Sequence, residues 1–133
     1  MLLKDIMTTQ LATVEFDDSL KTVLEIFDAL GFHHVLVVDD GILYGVVSDR
    51  DLLKATSPFL GSVVETDRDV GTLHRKVHQI MSRKPITLGP EADTSDAIQL
   101  FLKHKISCIP IVDEKFAPIG IVSWRDILRF VAP

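Results

Sequence analysis

A chain that spells one Gly-x-x-Ser-x-x-Asp stretch twice has few folds open to it, because each copy must find the same surroundings. The stretch Gly45-Val46-Val47-Ser48-Asp49-Arg50-Asp51 returns as Gly120-Ile121-Val122-Ser123-Trp124-Arg125-Asp126. Each copy reads as a short apolar strand that ends on Ser and turns into a helix. Two uses of the Ser and Asp stand side by side. The pair can form a capping box, the Ser oxygen accepting from the backbone N–H three residues on while the carboxylate accepts from the cap's own N–H. Alternatively, hydroxyl and carboxylate face a cleft and bind a ligand beside the positive end of a helix.

The duplication extends well beyond the motif. Ile6-Met7 matches Ile80-Met81, Thr13 matches Thr87, Phe27 matches Phe101 and Val38-Asp39 matches Val112-Asp113, all at an offset of 74, and from Gly45 and Gly120 onward the offset is 75. The added residue falls where Asp40-Gly41 and Glu114-Lys115-Phe116-Ala117-Pro118 read as hairpin turns of unequal length, so both strand pairings survive it.

Each copy parses alike. A helical turn ending at Met7 precedes a strand from Leu11 to Val14. A helix from Ser19 to Leu30 carries Leu20, Val23, Leu24, Phe27 and Leu30 on one face and stops at Gly31. Strands Val35 to Val38 and Leu43 to Ser48 follow, then a helix from Asp49. The second copy gives a strand Ile86 to Leu88, a helix Thr94 to Lys105, strands Ser107 to Val112 and Ile119 to Ser123, and a helix from Trp124. The order β-α-β-β-α, twice, defines an α/β (α+β) class. Strands this apolar need cover on both faces, which a single copy with two helices cannot supply. The expectation is two repeats, residues 1–57 and 77–133, packed as one pseudo-two-fold module around a linker at 58–76.

With 47% apolar residues among 133, a substantial core is affordable. The apolar runs are strand-length, far below the roughly 20 residues of a membrane span. No leader-like opening is evident, which predicts a cytoplasmic protein. The net charge of −5 argues against a nucleic-acid or anionic-membrane coat. Cys108 stands alone among apolar neighbours, as a buried thiol.

In the linker, Thr66-Asp67-Arg68-Asp69 reads as a further capping box opening a helix with Val70, Leu73 and Val77 on one face, weakened by Gly71. His74 and His78, four apart on it, have metal-pair spacing, but no third ligand is near and surface histidines are expected. No Gly-Lys phosphate loop, nucleophile with a base, or metal cluster is present, so an enzyme is not expected.

The doubled β-α-β-β-α order and its closing Gly-x-x-Ser-x-x-Asp resemble a tandem pair of CBS domains in a small stand-alone form. The resemblance implies a regulatory module that binds adenosine-containing ligands, AMP, ADP, ATP or S-adenosylmethionine, in two clefts between the repeats. The nucleotide would be a regulatory ligand rather than a cofactor, and a homodimer is implied. Asp51 and Asp126 match the acid that bonds the ribose hydroxyls, a charge-assisted contact a deoxyribose half satisfies. Ser48 and Ser123 match the neighbouring hydroxyl. One cleft would combine Asp51, Ser48, Val46, His33 and His34 with Ser82, Ile86, Thr87, Ile106 and Ser107. Here His33 and His34 stand at a phosphate position and would be drawn toward protonation by an anion; the plainer reading is one packed and one solvated histidine. The other cleft would combine Asp126, Ser123, Ile121, Ser107 and Cys108 with Thr8, Ala12, Thr13 and Phe32. Ser107 and Cys108 replace the histidine pair there, so the clefts should be unequal and the Asp51 cleft favoured for a phosphorylated ligand. Trp124 and Arg125 could compensate, or Trp124 simply packs. The competing function is a ligand-independent dimerisation module using apolar faces around Phe27, Phe101 and Leu128.

Overall fold

The computed structural model describes residues 1–132. The chain divides into two compact units that do not coincide with the sequence repeats. The first unit holds residues 12–39 and 44–83, and the second holds 1–11, 40–43 and 84–133.

The first unit contains β1 (Thr13–Val14), α1 (Leu20–Leu30), β2 (His34–Asp39), residues 44–48 of β3 (Ile42–Ser48), α2 (Asp49–Ala55), α3 (Asp67–Gly71) and β4 (Ser82–Arg83). The four strands lie in the order β1-β2-β3-β4, with β1 parallel to β2 and β4 antiparallel to β3. Ser19 caps α1 by accepting from the Thr22 N–H, and Gly31 ends it at φ 67°, a left-handed conformation that glycine enters without a Cβ penalty. The apolar face of α1 puts Leu20, Val23 and Phe27 against Val35, Val37 and Val47 of the sheet, joined by Leu52, Val77 and Met81. Leu30, expected on that face, is 59% exposed at the last position of the helix.

The second unit contains α4 (Thr94–Lys103), the antiparallel pair β5 (Cys108–Val112) and β6 (Pro118–Ser123), and α5 (Trp124–Val131). Its core is Leu3, Ala97, Phe101, Ile109, Ile111, Val122 and Ile127. The fold is α+β, as the duplicated pattern implies.

Several expected elements come out shorter. The strand at 11–14 contracts to β1, and the strand at 86–88 contracts to one parallel bridge, Leu88 to Ile111. Pro85 and Pro90 bracket that segment and can donate no ladder hydrogen bonds. The helix at 94–105 stops at Lys103, with His104 extended. The linker helix breaks after one turn of 3-10 helix, Thr72–His74, at the extended Arg75, and Val77 is buried from a separate turn. Phe27 and Phe101 are buried within their own units and cannot form an association face, whereas Leu128 is 60% exposed.

Candidate functional site

In the first unit, β3 delivers Ser48 to the N-cap of α2. The Ser48 Oγ accepts from the Asp51 N–H at 3.1 Å, and the Ser48 N–H donates to Asp51 Oδ2 at 2.9 Å. The capping-box reading is therefore real, yet it consumes only one carboxylate oxygen. Among the described residues no donor reaches Asp51 Oδ1. Beside the motif, the exposed His33 donates from Nδ1 to Asp49 Oδ2 at 2.9 Å, and its carbonyl accepts the Asp49 N–H at 2.9 Å. His34 is more enclosed, and its pKa is lowered from 6.5, chiefly by burial, with the carboxylates of Asp49 and Asp51 opposing the drop. Without an anion the enclosed histidine is thus biased toward neutrality, opposite to the shift expected beside phosphate. Val46 is buried, and its register partner across the sheet is the exposed Ser82. Ser82 from the second repeat is so brought to the motif of the first. Asp49 escaped the sequence reading; its signal was a second acid in the first turn of the helix, where the other copy has Trp124.

In the second unit, β6 delivers Ser123 to the N-cap of α5. Asp126 Oδ2 accepts from the Ser123 N–H at 2.9 Å and from its hydroxyl at 3.2 Å. Thr8 is tied to Ile121 by two backbone hydrogen bonds of 2.9 Å, and its hydroxyl donates to Asp126 Oδ1 at 3.3 Å. Arg129 Nη1 lies 3.8 Å from the same oxygen. Asp126 is 8% exposed. Cys108 is buried on β5 in register with Ser123, and the exposed Ser107 immediately precedes the strand. Trp124 packs on Phe101 with ring centroids 4.9 Å apart, which supports the packing role over a ligand role.

The remaining candidates are distributed as follows. Ala12, Thr13 and Phe32 lie in the first unit, where Ala12 and Phe32 pack against the core and Thr13 pairs with Leu36. Ile86, Thr87 and Ile106 lie in the second unit, with Ile106 against its core. Thr87 also lines an open depression of about 590 Å³ with Val112, Asp113 and Glu114, which includes neither Ser123 nor Asp126. That depression is shallow and has no side chain of the duplicated motif, so the chemistry points to the motif acids instead. His74 and His78 sit on separate turns, His78 Nε2 lying 3.9 Å from Asp17, and no group of three metal-ligating side chains occurs among the described residues.

Two copies of an α+β repeat, each ending in a strand, a capping Ser and an acid at the third helical position, define a tandem motif module. The family model for the CBS domain matches residues 3–57 and again 77–133, and the chain belongs to the CBS domain family. It is 35% identical over 130 residues to a CBS domain-containing protein of Dictyostelium discoideum, spanning 96% of this chain and 89% of that one. Among solved structures it resembles the CBS domain pair of protein MJ0100, in complex with 5′-methylthioadenosine and S-adenosyl-L-methionine, with TM-score 0.81, 25% identity, and coverage of 98% of this chain and 94% of that one. It also resembles CBSX2 in complex with AMP, with TM-score 0.78, 27% identity, and coverage of 97% and 94%. No helix among the described residues is long and apolar enough to cross a membrane.

Proposed function

We propose that this chain is a regulatory module that binds an adenosine-containing ligand, with Asp51 as the ribose-binding acid. The observation that carries the reading is the half-used carboxylate: among the described residues Oδ2 is held by the Ser48 N–H while Oδ1 accepts nothing. A fixed carboxylate with one open oxygen is preset to accept from a ribose 2′ or 3′ hydroxyl, a contact of about 1.5–3 kcal/mol for a charged acceptor. The ligands in the structures of MJ0100 and CBSX2 all contain adenosine, which supports that ligand class. Ser48, His33 and His34 flank the acid and would meet the ribose or a phosphate, with Ser82, brought alongside by the β3–β4 pairing, as a further candidate contact. Binding regulates by favouring whichever state of the chain, or of its partner, holds the ligand more tightly. The reading is one of sensing and not of catalysis.

Titration calorimetry of ligand-free protein with AMP, ADP, ATP and S-adenosylmethionine tests this. At least one should bind, and Asp51→Asn should weaken it about tenfold or more, since a neutral amide keeps an acceptor for the cap but lacks the charge. Absence of binding by all four, with the chain folded, sinks the reading.

A ligand-independent dimerisation module is the second reading, favoured by Leu53 at 74% and Leu102 at 69% exposure, with Leu128 beside them in rank. Sedimentation of the nucleotide-free chain, alone and as Leu128→Glu, reads it directly: a dimer abolished by the charge supports association through α5.

A further inference from the structure

The two motif acids differ in one respect that the sequence repeat conceals. Asp51 accepts a single hydrogen bond, whereas both oxygens of Asp126 are engaged: Oδ2 by the Ser123 N–H and hydroxyl, Oδ1 by the Thr8 hydroxyl at 3.3 Å, with Arg129 3.8 Å away. The two differences trace to two substitutions at matched positions. Thr8 corresponds to Ser82, and Arg129 corresponds to Lys54. Ser82 is exposed on β4 and makes no bond to Asp51, and Lys54 forms no ion pair with it. Both backbones are held alike, Thr8 antiparallel to Ile121 and Ser82 antiparallel to Val46, so the difference lies in the side chain: the β-branched Thr8 has few rotamers left once its backbone is fixed, whereas the Ser82 hydroxyl turns freely. A donor held there offers Asp126 what a ribose hydroxyl would offer, and Asp126 is buried behind it at 8% exposure.

We infer that the Asp126 motif is satisfied internally by Thr8 and is closed to nucleosides, so that the chain takes one adenosine ligand, at Asp51. This rests on the nucleotide reading above and sharpens it: Thr8 acts as a gating residue at the second site, a built-in substitute for the ribose hydroxyl.

Calorimetric stoichiometry of the full chain tests it, using the adenine ligand with the largest heat among AMP, ADP, ATP and S-adenosylmethionine. The unsubstituted chain should bind one equivalent. Asp126→Asn should still bind one, and Asp51→Asn should bind weakly or not at all. Thr8→Val keeps the shape and the backbone pairing but removes the hydroxyl, and should raise the stoichiometry to two, with Asp51→Asn/Thr8→Val binding one. Two equivalents in the unsubstituted chain, or one equivalent in Thr8→Val, overturns the gating role while leaving the nucleotide reading intact. Absence of binding by the unsubstituted chain overturns both. Thermal midpoints of the variants within a few degrees of the original show that the counts refer to folded protein.

Discussion

At the scale of single residues, the motif glycines show what the duplicated stretch is for besides its acid. A Cβ built on Gly45 would lie 2.8 Å from Met81 Sδ and 2.9 Å from the Ser82 backbone carbonyl, while for one on Gly120 the three nearest atoms are all of the Met7 side chain, Sδ, Cγ at 2.8 Å and Cβ at 3.2 Å. Each glycine is the floor on which the methionine of the other repeat lies, and each is required by closeness, since neither has a positive φ. The consequences of adding a methyl group differ. Met7 can swing its thioether aside, but the Ser82 carbonyl belongs to the β3–β4 pairing and cannot. Gly45→Ala should therefore cost about 1–3 kcal/mol, the range for overpacking, and Gly120→Ala less. Urea denaturation of both variants measures the difference, and equal losses would contradict it. His34 supplies a second prediction. Its folded pKa lies below 6.5, so the unfolded chain binds more protons in the window beneath that value, and stability is lost as pH falls below 6.5. His34→Gln should flatten the acid side of the stability profile, read as urea midpoints at successive pH values.

At the scale of elements, the sequence was most legible where periodicity and chain punctuation agreed. Helix α1 begins at a capping Ser19 and ends on a left-handed Gly31, and the Asp40-Gly41 turn has both residues at positive φ, as a two-residue hairpin demands. Legibility failed where an element is held by one or two tertiary hydrogen bonds. Strand β4 and the Thr8 bridge involve segments too short to carry a period, and what fixes them is the partner strand and the glycine floor, which lie far away in sequence. The candidate site followed the same division. The Ser and Asp of each motif were evident, but the inequality of the acids depends on where Thr8 and Arg129 place their donors, and Asp49 became visible only through its bond to His33. The linker was read correctly at its cap and wrongly beyond it. Asp69 accepts from the Thr66 N–H at 2.8 Å and from the Ser57 hydroxyl at 2.6 Å, which hold its pKa below the ordinary value, the Ser57 bond most of all. α3 is a five-residue helix with no buried side chain, so these bonds, and not packing, define it. Asp69→Ala should open the linker to limited proteolysis near residues 57–70 while leaving the thermal midpoint almost unchanged. A large drop in the midpoint would show that the linker is part of a core.

At the scale of the whole molecule, charge limits which adenosine ligand the proposed site at Asp51 would favour. The chain carries a net charge of −5, and about the motif Arg50 and Lys54 of α2 and Arg83 of β4 stand against Asp49 and Asp51. Asp49 and Asp51 open the first turn of α2, His33 is already bound to Asp49, and burial holds His34 toward its neutral form. Each phosphate added to the ligand therefore meets the long-range repulsion of the whole chain, and among the described residues no ion pair ties Arg50, Lys54 or Arg83 to the motif acids. A sulfonium-bearing or singly phosphorylated ligand avoids most of that repulsion. The expected order at low ionic strength is S-adenosylmethionine and AMP above ATP. Raising the ionic strength from about 0.01 M to about 1 M contracts the Debye length from about 30 Å to about 3 Å and should narrow the gap by strengthening ATP binding. A basic phosphate pocket would behave in the opposite way, with ATP tightest in dilute salt and weakened as salt is added. Competition titrations at the two ionic strengths separate these cases, and ATP emerging tightest at the lower one would mean that the cations about the motif, with His34 taking up a proton or with Arg50, Lys54 and Arg83 alone, outweigh the net charge; the His34 variant tells the two apart. His34→Gln abolishes the ATP preference, with S-adenosylmethionine unaffected, in the first case and leaves it standing in the second.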